Sequence, residues 1–484
     1  GTLSNKSLIL PVYQQWNHDA ICTPCLILQP TNDRQVSYCL RGYLGGFYEC
    51  ITFNRENNTN HPVPRLCVAG GRNSCNAMKD GSIVLDLSKM RTVEVNVENR
   101  TCRVQGGARV IDLDSTLSKY GLIAVSGANQ NLGVVGCILG GGLGYASRKF
   151  GLSCDNLLSA VVILSDGRLK HCSSSKHEDL FWSLCGGGGG TGVVVSVTLR
   201  CFPLRYAASL TYELQASSYS SFQIVLRRWA NWIEGDADNE QLDDDSIALS
   251  TNEGAPQDVY SHLLLQTNST NISFLGTSIN TDPVMQSLSN ESFSSKKRGS
   301  FSWVNKNRNK GLQWNDVPGL CDLIDNKFGS KNRIKEHFKI LPYLELQAYT
   351  DQYQKSGHVI HATKFANSLS NRIIEILIRA TLGEKSRNNE SRITIMSAGG
   401  AINTVSAEKG AFDARCMKYS IFIEGRWNIG SKEQNDKQKT RIWINWVVKQ
   451  LHLCDGIYST AHPETNNRDR QSQTNETEQP QGSH

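Results

Sequence analysis

No run of about 18 consecutive apolar residues occurs in the 484-residue chain, so no helical membrane span is expected. The first residues also lack a basic segment leading into an apolar one, the pattern of a secretory leader. If the protein is secreted, this sequence is its mature form. Neither sign of charge dominates. Lys and Arg number 51 against 45 Asp and Glu, a net +6 too weak to argue for nucleic acid or another polyanion. The short basic tracts at 295–298 and 306–310 read as solvated loops. Cys22-x-x-Cys25 has no second CxxC at zinc spacing, and no metal site is expected. A GxGxxG directly after the first strand, with an acid about 20 residues on, is also missing, which disfavours a Rossmann NAD or nucleotide-sugar enzyme.

What the chain does have is glycine embedded in apolar sequence. Gly140–Gly142 and Gly186–Gly190 lie among Val, Ile and Leu rather than in polar linker. Glycine loses more backbone freedom on folding than any other residue, so such runs imply a close approach of bare backbone to a ligand. Between them, 157–165 (LLSAVVILS) reads as a buried strand, with a turn at Asp166-Gly167.

Five blocks in fixed order carry a family pattern: VAGGRNS (68–74), GSIVLDLSKM (81–90), CRVQGGARVIDLDSTL (102–117), GVVGCILGGGLGYASRKFGLSCDNLLSA (133–160) and DLFWSLCGGGGGTGVV (179–194). With them the chain resembles the FAD-linked oxidases of the vanillyl-alcohol oxidase superfamily, most closely the berberine-bridge-enzyme-like branch, from about residue 30 to 446. The resemblance implies an α+β fold: a two-part PCMH-type FAD-binding domain (1–205), then a substrate domain (206–455) whose antiparallel sheet is backed by helices. A polar tail (456–484), rich in Asn, Gln, Glu and Thr, is expected to be disordered.

Residue by residue, the resemblance implies FAD contacts at Gly70, Gly71, Arg72, Asn73 and Ser74, the loop that wraps the pyrophosphate. It implies further contacts at Asn129, Gly133, Gly136, Gly140, Gly141, Gly142, Gly144, Gly151, Asp155, Asn156 and Val161. Asp155 also reads as a turn cap. Two departures stand out. Asn73 occupies the place of a histidine that bonds the flavin covalently in many members. Asn129 occupies the place of the cysteine used by bicovalent ones. Cys137, eight residues on, is expected to pack in the core. FAD is therefore expected to be held without covalent bonds. Leu132 lies near the position that gates oxygen in this branch, and its bulk favours a dehydrogenase. The Asn-Phe pair that closes the last glycine run in the family is replaced by Gly190 and Thr191.

In the second half, strands are expected at 209–215, 246–250, 260–267, 343–350, 358–362, 393–396 and 418–423. Helices are expected at 221–234, 369–379 and 440–451, the first from the helical spacing of FQIVLRRWANWI. In the first half a strand at 25–29 precedes a helix at 35–48, weakened by Gly42, Gly45 and Gly46. Flavin oxidation of an alcohol or amine carbon needs a base on the substrate sheet. The family's tyrosine and acid are Ala398 and Ser420 here, and the C-terminal return segment has no match. The remaining candidates are His361 first and then Glu424, with His358, Tyr349 and Tyr353 nearby.

Fifteen cysteines and eight N-x-S/T sequons, beginning at Asn5, Asn57, Asn99, Asn268, Asn271, Asn290, Asn389 and Asn475, favour the secretory pathway. Cys22, Cys25, Cys39, Cys50, Cys67 and Cys75 are read as a disulfide set of undetermined pairing. The reading is a secreted, glycosylated FAD-dependent oxidoreductase that oxidises a small alcohol, sugar or alkaloid-like molecule. Its rival is a non-catalytic descendant that binds a ligand or partner.

Overall fold

The computed structural model describes residues 22–71, 77–216, 218–235, 255–279, 333–349, 358–383, 390–427 and 433–458. The first half opens with β1 (Leu26–Leu28), helix α1 (Asp33–Asn57), β2 (Leu66–Ala69) and β3 (Ile83–Asp86). These strands form a parallel three-stranded sheet with β3 in the centre. Then come β4 (Val93–Asn96), β5 (Thr101–Gln105), α2 (Val110–Leu117), β6 (Leu122–Ile123), α3 (Val134–Leu139) and α4 (Ser147–Phe150). The half ends with β7 (Leu157–Ile163), β8 (Leu169–Ser173), α5 (Glu178–Leu184), β9 (Val193–Arg200) and β10 (Phe202–Pro203). A second, antiparallel sheet runs β4-β5-β9-β7-β8, and β10 pairs with β6.

Helix α1 is longer than its sequence suggests and runs through Gly42, Gly45 and Gly46. Asn32 caps its first turn by accepting from Gln35 N, and Asn58 ends it in the left-handed conformation. Only Val36 and Leu40 are buried, so the three glycines lie on an exposed flank.

The second half contains β11 (Tyr206–Gln215), α6 (Tyr219–Glu234), β12 (Val259–Gln266), β13 (Asn271–Ser278), β14 (Arg333–Pro342) and α7 (Tyr343–Tyr349). It continues with β15 (His358–Ala366), α8 (Asn371–Leu382), β16 (Arg392–Ser397), α9 (Ala401–Thr404), β17 (Tyr419–Trp427), α10 (Glu433–His452) and β18 (Ile457–Tyr458). Its eight strands make one sheet in the order β14-β11-β13-β12-β16-β17-β15-β18. Alternation assigns the faces. Leu263, Leu265, Ile393, Ile395, Ile421 and Ile423 pack with Phe222, Leu226 and Trp229 of α6, Ile373 and Leu377 of α8, and Trp443 and Val447 of α10. Each such buried side chain contributes roughly 2 kcal/mol. The opposite face carries Tyr260, His262, Met396, Ser420, Phe422, Glu424, His361 and Phe365, and it turns toward the first half.

The strand expected at 343–350 is the helix α7 instead. Its buried residues are Tyr343, Leu346 and Gln347, which is helical spacing, and the strand before it stops at Pro342. β13 and β14 had no counterpart among the expected strands. The strand expected at 246–250 lies outside the described residues, as do both basic tracts and residues 459–484. β18 pairs with β15, so sheet structure continues past residue 455. Cys25, Cys39, Cys50 and Cys67 are thiols in the structure, and Cys75 lies outside the described residues. Cys39 and Cys50 sit eleven residues apart on α1, about 16 Å along its axis, beyond disulfide reach.

Candidate flavin site

Three loop segments meet as bare backbone. A methyl group added at Gly70 would lie 2.8 Å from the Gly106 carbonyl oxygen, and one at Gly133 would lie 2.7 Å from Gly71 N. No side chain fits either place. Arg109 is paired with Gly133 in a short antiparallel bridge, and its Nη1 donates to Asn131 Oδ1 at 3.5 Å. Its Nε is buried with no hydrogen-bond partner among the described residues. A cationic donor thus stands unsatisfied beside the seam of the two loops, a place suited to an anion. The sequence reading passed over Arg109, although it sits inside one of the five family blocks.

Beyond the seam, α3 exposes Gly136 and Gly140, and a methyl group at Gly136 would meet nothing within 4 Å. This is open floor of the kind a planar ring can lie on. The other glycines have a different explanation. Methyl groups on Gly141 and Gly186 would strike Phe412, one on Gly142 would strike Ser153, and one on Gly144 would strike the Ser126 carbonyl. The density of these runs therefore follows from loop-on-loop packing, not only from a ligand's approach, and the inference from glycine cost alone is corrected.

The remaining expected contacts fall as follows. Arg72, Asn73 and Ser74 lie outside the described residues. Asn129 is buried, and its Oδ1 accepts from Asn131 N at 2.7 Å, which fixes the loop. Gly151 adopts φ +83° beside Asp155. Asp155 accepts from Leu152 N at 2.8 Å and pairs with Arg415 at 2.8 Å. Asn156 donates to the Phe150 and Leu152 carbonyls, both at 2.9 Å. Both side chains are thus engaged by the protein, as the cap reading of Asp155 expects. Val161 lies in β7 with its backbone register shifted at the next residue. Cys137 lies half-buried against Gly127, and desolvation pushes its thiol pKa up, so the thiol is neutral.

The second half is pinned over this floor. Arg148 is 4% exposed and enters the substrate half, where backbone carbonyls hold it and the Asp258 carboxylate favours its charge. It donates to the Val259 carbonyl at 2.7 Å, to Ala255 at 2.8 Å, to Pro256 at 3.2 Å and to Ala398. Burial lowers its pKa to about 10, still charged at neutral pH. On the other side α7 grips the 126–131 loop. Gln347 Nε2 donates to Ser126 Oγ at 3.2 Å, and Gln130 Nε2 donates to the Leu344 carbonyl at 3.2 Å.

On the sheet face, Glu424 and Ser420 share one side of an unshifted β17. Glu424 is 1% exposed, and its Oε1 accepts from Arg392 Nε at 2.7 Å and Arg426 Nε at 2.6 Å. Both guanidiniums thus occupy the Glu424 carboxylate and compete with a substrate proton for it. His361 stands opposite it in register, its ring 5.6 Å from Phe422. Tyr349 has no side-chain position among the described residues, and Tyr353 lies outside them. The sequence reading missed His262. Its Nδ1 lies 3.3 Å from Tyr260 OH, and Tyr260 meets Tyr145 of the flavin half edge-on at 5.2 Å. Desolvation, helped by Arg392, lowers its pKa to about 4, so the imidazole is neutral at pH 7.

The seam, the open floor and the roofing sheet together form a site that fits a flavin. Residues 56–173 match the FAD binding domain family. The uncharacterized FAD-linked oxidoreductase YgaK of Bacillus subtilis is 34% identical over 191 residues, 38% of this chain and 40% of that protein. The (R)-6-hydroxynicotine oxidase of Paenarthrobacter nicotinovorans is 36% identical over 137 residues, 28% of this chain and 30% of that protein. These matches span two fifths or less of the curated relatives. Among solved structures, BBE-like 1 of Physcomitrella patens superposes with a TM-score of 0.67 at 17% identity, covering 90% of this chain and 83% of that one. Residues 56–173 carry an FAD binding domain, and the chain has the fold of the berberine-bridge-enzyme-like structures. The residues fit the cofactor: Arg109 supplies the unsatisfied donor, and Gly136 and Gly140 supply the open floor.

Proposed function

We propose that the chain is an FAD-dependent oxidoreductase that holds FAD without covalent bonds and oxidises a small alcohol, sugar or alkaloid-like molecule. The observation that carries this reading is the unsatisfied Arg109 Nε at the glycine seam, beside the bare floor at Gly136. Non-covalent binding is supported by Asn73 and Asn129, whose amides cannot form flavin bonds. The chemistry the flavin supplies is hydride acceptance from a carbon bearing a hydroxyl or amine.

The chain's own part is to orient the substrate and take its proton. On the sheet face, His262 is the base we assign, because it is neutral at pH 7 and aligned by Tyr260. His361 stands second, beside the Glu424 cluster, and Glu424 serves to hold Arg392 and Arg426. The hydroxynicotine oxidase and the glucooligosaccharide oxidase of Sarocladium strictum, 39% identical over 125 residues, support alkaloid-like and sugar substrates. Sequons at exposed Asn57, Asn99 and Asn268 support passage through the secretory pathway.

A non-catalytic reading is favoured by one observation: the family's tyrosine and acid positions are the buried Ala398 and Ser420. Acid precipitation of the purified protein, followed by anaerobic mixing with sugars, alcohols and cyclic amines, separates the readings. Free FAD in the supernatant and bleaching of the flavin by one class support the enzyme. Bound flavin that no class bleaches supports the binding protein, and protein that takes up no FAD overturns both flavin readings.

A further inference from the structure

Two buried thiols meet at the end of the five-stranded sheet. Cys102 lies on β5, 1% exposed, and pairs in register with Leu199 of β9. Cys201, 2% exposed, stands two residues beyond Leu199 and so on the same face of the sheet. Strand pairing continues to it, since Cys201 N donates to the Arg100 carbonyl at 2.8 Å. Both sulfurs turn to one point. Cys201 Sγ lies 4.0 Å from the Leu199 carbonyl oxygen, and the Cys102 thiol is hydrogen-bonded to the Leu199 backbone and to the Cys201 thiol. Diagonal neighbours in an antiparallel pair have Cα atoms about 7–8 Å apart. A disulfide spans about 4.4–6.8 Å, so a small approach of the two strand ends joins the sulfurs. The ends are irregular: Arg100 has a left-handed φ of 49°, and the chain passes from β9 into β10 at Cys201.

We propose that Cys102 and Cys201 are a disulfide site, closed in an oxidising compartment by exchange with a low-molecular-weight disulfide, and that the bond braces the flavin floor. The thiolate of one cysteine attacks a sulfur of the small disulfide and expels one small thiolate. The second cysteine attacks the resulting mixed disulfide at the first cysteine's sulfur and expels the other. One S–S bond is broken and one is formed. The two cysteines are oxidised, the small disulfide is reduced to two thiols, and the two cysteine protons end on those thiols. The bond encloses about 100 residues, among them α2, the 126–131 loop and α3 with Gly136 and Gly140. Everything that makes the floor then lies in one covalent loop, and closing a loop of that length restricts the unfolded chain strongly. The hydrogen bond from Cys201 and burial both raise the Cys102 thiol pKa, so in the folded chain this thiol is protonated and slow to exchange. The bond therefore forms as β5 and β9 pair during folding or when the strand ends open.

The pair does not depend on the FAD reading, because the thiols are counted equally well with or without cofactor. The test is equilibration of the full chain in mild urea, in buffers running from reduced to oxidised glutathione, followed by alkylation in denaturant and tryptic mapping. In oxidised buffer, peptides 101–103 and 201–205 are expected as one linked, unalkylated species, lighter by two hydrogens than their sum. In reduced buffer both are expected alkylated. The linked wild type should melt about 5 °C or more above the reduced one, and the double variant Cys102→Ala/Cys201→Ala should melt at one temperature in both buffers. Full alkylation of both peptides in oxidised buffer, or linkage of either to a different cysteine, overturns the proposal. A linked pair with an unchanged melting temperature leaves the bond and refutes the brace. If the double variant does not fold, the wild-type map and its two melting temperatures still decide both points.

Discussion

Asp155 and Arg415 close an ion pair at 2.8 Å, with side chains 6% and 8% exposed, between the turn after α4 and the segment before β17. The pair ties the flavin half to the substrate half. Removing one member leaves a buried charge without its partner, which costs about 3–5 kcal/mol. Asp155→Ala is therefore expected to lower the melting temperature by the same amount with and without FAD. A change in FAD affinity with unchanged melting temperature would instead make Asp155 a direct cofactor ligand.

Glu424 poses the same choice between architecture and chemistry. With Arg392 and Arg426 both on Oε1, Glu424→Gln sets two guanidiniums against a neutral amide and costs about 3 kcal/mol. Flavin reduction by a substrate should keep its pH profile in this variant. Loss of reduction at unchanged stability would make Glu424 the base.

His262 carries the opposite expectation. His262→Asn should slow flavin reduction by about 100-fold or more while FAD stays bound. The stability sign follows from its lowered pKa. The folded imidazole stays neutral down to about pH 4, whereas the unfolded one takes a proton near 6.5. Stability is unaffected above pH 6.5 and is lost as pH falls from there to about 4, by up to about 3 kcal/mol. Melting curves of wild type and His262→Asn across that range should separate on the acid side alone. Parallel curves would contradict the buried neutral histidine.

Why the sequence disclosed some of this and not the rest is visible residue by residue. Helices α6 and α8 repeat their apolar residues at helical spacing and sit under Ser218 and Ser370 caps, all local information. Residues 343–350 carry alternating polar and apolar side chains that read equally well as strand, and only the burial of Tyr343, Leu346 and Gln347 decides for helix. The glycines announced close approach but not what approaches: Phe412 fills the space at Gly141 and Gly186, some 270 and 226 residues away along the chain. His262 lay in an expected strand, but which face that strand turns to the flavin is a property of the whole sheet.

The central claim is that FAD lies along the floor exposed at Gly136, and Gly136→Ala tests it most directly. The added methyl group meets no protein atom. Exchanging an exposed helix glycine for alanine stabilises by up to about 1 kcal/mol. Equilibrium titration of FAD into the cofactor-free variant and wild type is the measurement. The account predicts that Gly136→Ala folds at least as stably as wild type yet binds FAD about tenfold or more weakly, because the methyl group occupies the cofactor's place. Equal FAD affinity in the two proteins would contradict it.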